Sequence, residues 1–327
     1  MAAGFVATWK ERLDTWQQRH TPLAFTVGVV KKFGDDRAGR QAALIAYFGF
    51  FSLFPLLLAV TTIVSFVVSE QDAAELQDSI LAEIPIIGSQ LAGGVNALEG
   101  SVPALVVGVA LAIYAGLRCM LAAQEAMNAV WNVPRMDEPN WFAKRARSLA
   151  LLGAMGLVFI ASTAASQLVP LIPGVAGAAR IGGIALALVV NFLLFLVAFY
   201  ALTVGKPPWR ALVPGAAVGA VGYLLLQEVG RWYVDRTVKG AVDTYGTFAV
   251  VIGLLSWLYL VAQLFVFCAE VNVVAHRGLW PRSLFTSAAT PADREALAGA
   301  AAAQQRLGDQ RIEVTFETEA GEPPPAD

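Results

Sequence analysis

Along this chain the apolar residues gather into six long blocks separated by polar stretches. The blocks run from Ala42 to Val68, Val102 to Ala122, Ser148 to Leu171, Ile181 to Val204, Ala211 to Tyr233 and Thr247 to Ala275. Each is close to the roughly 20 residues that an α-helix needs to cross about 30 Å of hydrocarbon. Runs such as Ile184–Val190 and Leu193–Val197 are apolar all round, which suits lipid and not the surface of a soluble bundle. In lipid the backbone must bond within its own segment, so every block predicts a helix. The alternating pattern of barrel strands does not appear. The pattern therefore predicts an all-α polytopic membrane protein with about six transmembrane helices, spans one to six.

Charge sets the expected orientation. Lys10, Arg12, Arg19, Lys31, Lys32, Arg37 and Arg40 precede span one, whereas the long loop 69–101 after it has acids and no Lys or Arg. Arg135, Lys144, Arg145 and Arg147 follow span two, Lys206 and Arg210 follow span four, and Arg277 and Arg282 follow span six. Positive charge is retained on the cytoplasmic side, so both termini are expected there. Arg231, Arg236 and Lys239, after span five, run against that pattern. The overall composition agrees with a membrane domain: 57% of the 327 residues are hydrophobic and 15% charged, against about 45–50% and about 25% in soluble domains. A net charge of -2 offers no global field for nucleic acid.

Three regions follow. Residues 1–40 form a basic amphipathic segment, with Phe5, Trp9, Leu13 and Trp16 at helical spacing and Lys10, Arg12 and Arg19 elsewhere on the wheel. Such a helix lies in the headgroup region or packs on the bundle. Residues 41–285 are the six-helix domain. Its outer loop, 69–101, predicts a further helix from Ile84, Ile87, Leu91, Val95 and Leu98. Residues 286–327 are rich in Ala, Gln and Pro with an acidic excess, and are expected to be a mostly disordered cytoplasmic tail holding at most a short helix near Asp293–Leu307.

No metal-ligand spacing, phosphate loop or nucleophile elbow is present, and two cysteines and two histidines leave little for catalysis. No metal, cofactor or catalytic residue is expected. What remains is polarity inside the membrane, which faces protein or water because lipid penalises it. Ser256, Gln263 and Glu270 recur every seven residues, almost two turns, and so form one stripe on span six, with Asn272 just beyond and Gly246 and Gly253 towards its start. The stripe lines a polar cavity or bonds to neighbouring helices. On span five, Gly215, Gly219, Tyr223 and Gln227 share a face, the glycines as a packing contact and Glu228 beside them. Tyr47, Ser52 and Pro55 on span one and Asn128 after span two complete the candidate set. Arg118 and Glu270 lie at similar depth with opposite sign, which predicts a salt bridge between them.

At these residues a resemblance emerges. The stretch Arg40 to Pro55, Tyr114-Ala-Gly-Leu-Arg118 with Asn128, Pro214-Gly215, Tyr245-Gly-Thr-Phe, Trp257-Leu-Tyr-Leu and Ala269-Glu-Val-Asn272 resemble the signature of the YihY/BrkB family of bacterial inner-membrane proteins over about residues 25–285. The resemblance implies six spans and a role in envelope integrity or virulence, with suggested links to lipid handling. Family members have also carried a transfer-RNA ribonuclease label, which this sequence does not support. It has no carboxylate or histidine cluster for metal-assisted hydrolysis and no basic domain with stacking aromatics. The expected function is transport or translocation of a lipid or other amphiphile through a polar cavity. The alternatives are an envelope scaffold acting through the outer loop or tail, and, last, an intramembrane enzyme using Glu270. Expected partners are membrane lipids and envelope proteins, with no nucleic acid. Small-residue faces on spans four and five serve an internal contact or a homo-oligomer equally well.

Overall fold

The computed structural model of the chain describes residues 2–67, 102–168, 176–233, 247–285 and 289–316. Among them are the α-helices α1 (Ala2–Arg19), α2 (Thr21–Asp35), α3 (Ala38–Val67), α4 (Val102–Val130), α5 (Trp141–Leu168), α6 (Ala176–Leu202), α7 (Trp209–Tyr233), α8 (Thr247–Arg277) and α9 (Pro291–Ala302), and no strand. Helices α3 to α8 fall on the six apolar blocks. Within α4, α6, α7 and α8, the segments Val106–Val130, Gly182–Leu202, Trp209–Gly230 and Val251–Arg277 are long and apolar enough to cross a membrane. The outer loop 69–101, with its expected helix, and Gly246 lie outside the described residues.

Contacts between helix ends fix their directions. Arg147, early in α5, donates to the carbonyls of Ala201 and Thr203 at the end of α6, giving the unpaired carbonyls there a cationic cap. Asn128, late in α4, accepts from the Val204 N–H just past α6. Asn272, late in α8, meets Gly215, early in α7. The starts of α5 and α7 and the ends of α4, α6 and α8 therefore share one end of the bundle, here the basal end. Helices α1, α2 and α9 sit there too, so the first and last described helices lie on the same side.

Helix α8 is the hub, packed against α2, α3, α4 and α7, while α3 packs most extensively on α4 and α6 on α7. Small residues explain the closest of these contacts. Ala38, Ala42 and Ala46 of α3, four apart, are buried with Ala115, Ala122 and Ala126 of α4. Without large side chains the two backbones come close enough for dense van der Waals packing, which replaces the hydrophobic drive that lipid does not supply. Helix α7 holds Pro214 within it, followed by Gly215. A Cβ on Gly215 would stand 2.0 Å from the Cys268 carbonyl oxygen of α8. Only glycine permits that approach. Helix α8 ends at Gly278, whose φ of 68° is a left-handed stop, with the Leu279 N–H returning to the Val274 carbonyl.

The short helix expected near Asp293–Leu307 is present, and it is docked on the bundle. Residues 291–302 form α9, started by a complete capping box between Thr290 and Asp293, with Pro291 in its first turn. Ala292, Asp293 and Ala296 are buried against the basal end. The following stretch adds backbone bonds from Arg135 to Ala303 and from Met136 to Gln305.

Candidate functional site

Helix α2 buries Ala24, Gly28 and Lys32, four apart, with Val29 beside them. The third is a lysine only 1% exposed. Its ammonium donates to Asp36, one turn on, and to the Val130 carbonyl at 3.0 Å, and lies 3.5 Å from the Glu270 carboxylate. Glu270 is 0% exposed. One buried cation thus faces two carboxylates at the junction of α2, α4 and α8. Burial pushes the Asp36 carboxyl up from its ordinary range, against the pull of Lys32. From sequence, Lys32 counted only towards orientation. Its place on a stripe of otherwise small, buried positions was the available signal.

The expected Arg118–Glu270 bridge does not form. Arg118 is exposed, over the rings of Phe48 at 5.8 Å and Tyr114 at 5.7 Å, with its Nε donating to the Tyr114 hydroxyl. The rotation of α4 carries Arg118 outward, and Lys32 reaches Glu270 from a helix outside the six-span set. Similar depth on two helices says nothing about their facing.

The α8 stripe is likewise divided by depth of burial. Ser256 is exposed, Gln263 half-buried and Glu270 enclosed. Among the described residues only Gln263 of the three lines the depression on this face. It contributes the amide in this open depression between α2 and α8, whose other walls are Val30, Phe33, Leu260, Leu264 and Phe267. Gln263 and Glu270 are about 10 Å apart along the helix axis, from a rise of about 1.5 Å per residue, so the depression lies on the face that ends at the buried ion cluster. Gly253 is half-buried on the same helix.

Two of the remaining candidates are structural. Asn272 accepts the Gly215 N–H at 2.6 Å, and Asn128 accepts the Val204 N–H at 3.2 Å, each fully enclosed. The expected glycine face of α7 also divides: Gly215 meets α8, whereas a Cβ on Gly219 would meet Phe195 of α6 at 2.8 Å. Gly222 and Gly230, not singled out in the sequence, press on Leu264 and Trp257 of α8. Tyr47 is exposed beside Phe48 and Phe51, and Ser52 donates to the Gly49 carbonyl, one turn before the in-helix Pro55. Gln227 is half-buried and Glu228 exposed. None of these reaches the α2–α8 depression. A further buried pair, Gln124 with Ser148, joins α4 to α5.

Below the cluster lies a second polar network. Asp293 accepts from Arg282 Nε at 2.7 Å and the Ser283 N–H at 3.0 Å, and pairs with Lys31 at 3.1 Å. Arg282 also holds Asp35 at 2.7 Å. Asp14 of α1 accepts from the Ser283 hydroxyl and the Leu284 N–H, and Gln17 donates to the Arg282 carbonyl. Burial works to raise both aspartates, but these donors outweigh it and hold them below the usual carboxylate range. Among the described residues no three His, Cys, Asp or Glu side chains gather as a metal-ligand set.

A family model described as "Virulence factor BrkB" matches residues 29–289. Inner membrane protein YhjD of Escherichia coli K12 is 26% identical over 274 residues, 77% of this chain and 81% of that protein. A UPF0761 membrane protein of Stenotrophomonas maltophilia R551-3 is 27% identical over 271 residues, 76% of this chain and 61% of its own length. A putative ribonuclease-like protein, YfkH, of Bacillus subtilis 168 is 24% identical over 276 residues, 78% of this chain and 96% of that protein. No solved structure matches.

Proposed function

The chain belongs to the BrkB family and is a multi-pass protein of the inner membrane, and from that premise we propose that it transports a lipid or other amphiphile by way of the lateral depression between α2 and α8. The observation that carries this reading is the depression itself. It offers apolar walls for a hydrocarbon chain, one amide for a polar group, and an opening to the side of the bundle. The Lys32–Asp36–Glu270 cluster anchors α2, one of its two walls, to α8.

The reading assigns no nuclease chemistry. Lys32 and Glu270 are enclosed by helices, out of reach of a nucleic-acid strand, and the depression has no basic lining.

The test is native mass spectrometry of the protein in mild detergent, with Val30→Trp and Gln263→Leu beside wild type. Val30 is 56% exposed, so a tryptophan there fills the depression without disturbing the core. Wild type is expected to hold a defined lipid that Val30→Trp loses, and the same variant is expected to slow passage of a fluorescent phospholipid between leaflets of proteoliposomes. Equal retention and equal passage in folded wild type and Val30→Trp would overturn the proposal in favour of a scaffold.

A further inference from the structure

Helix α1 packs the wrong way round for a helix in water. From Trp9 on, its protein-facing residues are polar: Asp14 and Gln17 are buried, held by the Ser283 hydroxyl, the Leu284 N–H and the Arg282 carbonyl. Over the same stretch its large apolar residues face away: Trp9 is 56% exposed, Leu13 40% and Trp16 53%. A surface helix normally buries its apolar stripe and shows its charges. The inverse arrangement is stable when the medium outside is itself apolar, as at the boundary of headgroups and acyl chains. The hydrogen bonds to residues 282–284 prevent α1 from turning its stripe inward.

Charge specifies the surface. Arg12 and Arg19 are seven residues apart, nearly two turns, and with Glu11, Thr15 and Trp16 they line an open depression on α1. Two guanidiniums set about 10 Å apart along the helix, with the single carboxylate of Glu11 preceding both, leave a net positive lining suited to phosphate oxygens. Lys10 adds a further cation over the Phe285 ring. Exposed aromatics paired with arginine recur around the same basal end. Trp141, 59% exposed, lies under Arg145 at 3.8 Å, and Trp209, 59% exposed, neighbours Arg210. Tryptophan and arginine together are the residue types that settle at a membrane–water interface. This belt marks the level at which α1 would meet headgroups.

We propose that α1 is an interfacial helix that inserts Trp9, Leu13 and Trp16 into the leaflet at the basal end and holds an anionic phospholipid headgroup between Arg12 and Arg19. The inference does not rest on the α2–α8 depression. It makes α1 a lipid-sensing arm tied through Asp14 and Gln17 to the segment that leads into α9.

The experiment uses the full chain in nanodiscs of phosphatidylcholine, with and without phosphatidylglycerol, with bromine placed on the acyl chains of one lipid at a time. The signal of Trp9 and Trp16 is the difference between wild type and the Trp9→Phe/Trp16→Phe variant. Quenching of that difference signal by brominated lipid, stronger for phosphatidylglycerol, is expected. Arg12→Gln/Arg19→Gln should abolish the preference, an enrichment of about tenfold or more for two cations at an anionic surface, while quenching by brominated phosphatidylcholine persists. Quenching of the difference signal by aqueous iodide and not by brominated lipid would overturn insertion. Equal quenching by both brominated lipids in wild type would overturn the headgroup site.

Discussion

Lys32→Met tests the buried cluster most directly. Methionine keeps the length and apolar stem of lysine but removes the ammonium. Asp36, Glu270 and the Val130 carbonyl then lose a shared partner, two of them carboxylates with almost no exposure. Breaking a buried ion pair from one side costs about 3–5 kcal/mol, which is two to three orders of magnitude or more in the folding constant at about 1.4 kcal/mol per factor of ten. The attraction within the cluster is a smaller quantity, because burying all three groups was itself costly. The triple variant Lys32→Met/Asp36→Asn/Glu270→Gln, neutral throughout, should therefore recover most of the loss. Reversible unfolding in mixed detergent–dodecyl sulfate micelles, followed by circular dichroism, measures each variant. Arg118→Ala supplies the contrast: combined with Glu270→Gln its effect should be additive within about 0.5 kcal/mol, whereas Lys32→Met with Glu270→Gln should fall short of additivity by more than about 1 kcal/mol. A loss under about 1 kcal/mol for Lys32→Met, against the 3–5 expected, or coupling to Glu270 no greater than that of Arg118, would refute the reasoning.

Two further outcomes follow from the packing. Gly215→Ala drives a Cβ into the Cys268 carbonyl at 2.0 Å and the Asn272 amide at 2.6 Å, so α7 and α8 must separate. The expected cost is about 2–5 kcal/mol, from overpacking and a weakened bond to Asn272, read as a lowered melting temperature in detergent; an unchanged one would contradict the contact. Asp14 and Asp293 are both held below their unfolded values, so their contribution is fully present above about pH 4 and is lost as pH falls through the lower folded values. Protection of the α1 and α9 amides, taken relative to their intrinsic exchange rates, should therefore fall on acidification below about pH 4, and Asp293→Asn should lower protection already at neutral pH, with less dependence on pH. An acid-insensitive wild type would count against a stabilising role for the Asp14 and Asp293 hydrogen bonds.

Helix type was legible because lipid leaves the backbone no alternative to helix and because unbroken apolar runs are their own signal. Gly215 was legible as a packing residue for a similar reason: a glycine repeat on an apolar helix has few uses besides close approach. Partner choice was not. Glu270 was identified as the buried charge of α8, but its counter-ion, Lys32, comes from a helix before the six blocks, and only the rotation and placement of α2 decide that it points inward. The same limit divided the stripe Ser256–Gln263–Glu270. Heptad spacing sets a shared face of one helix, while neighbours decide how much of that face is covered. The tail shows the same limit: a short helix near Asp293 was legible, but its docking through the cations Lys31 and Arg282 was not. Residue spacing thus determined which elements exist and which of their faces are apolar. Which face meets which neighbour, and so which charges pair, arose only when helices distant in sequence packed together.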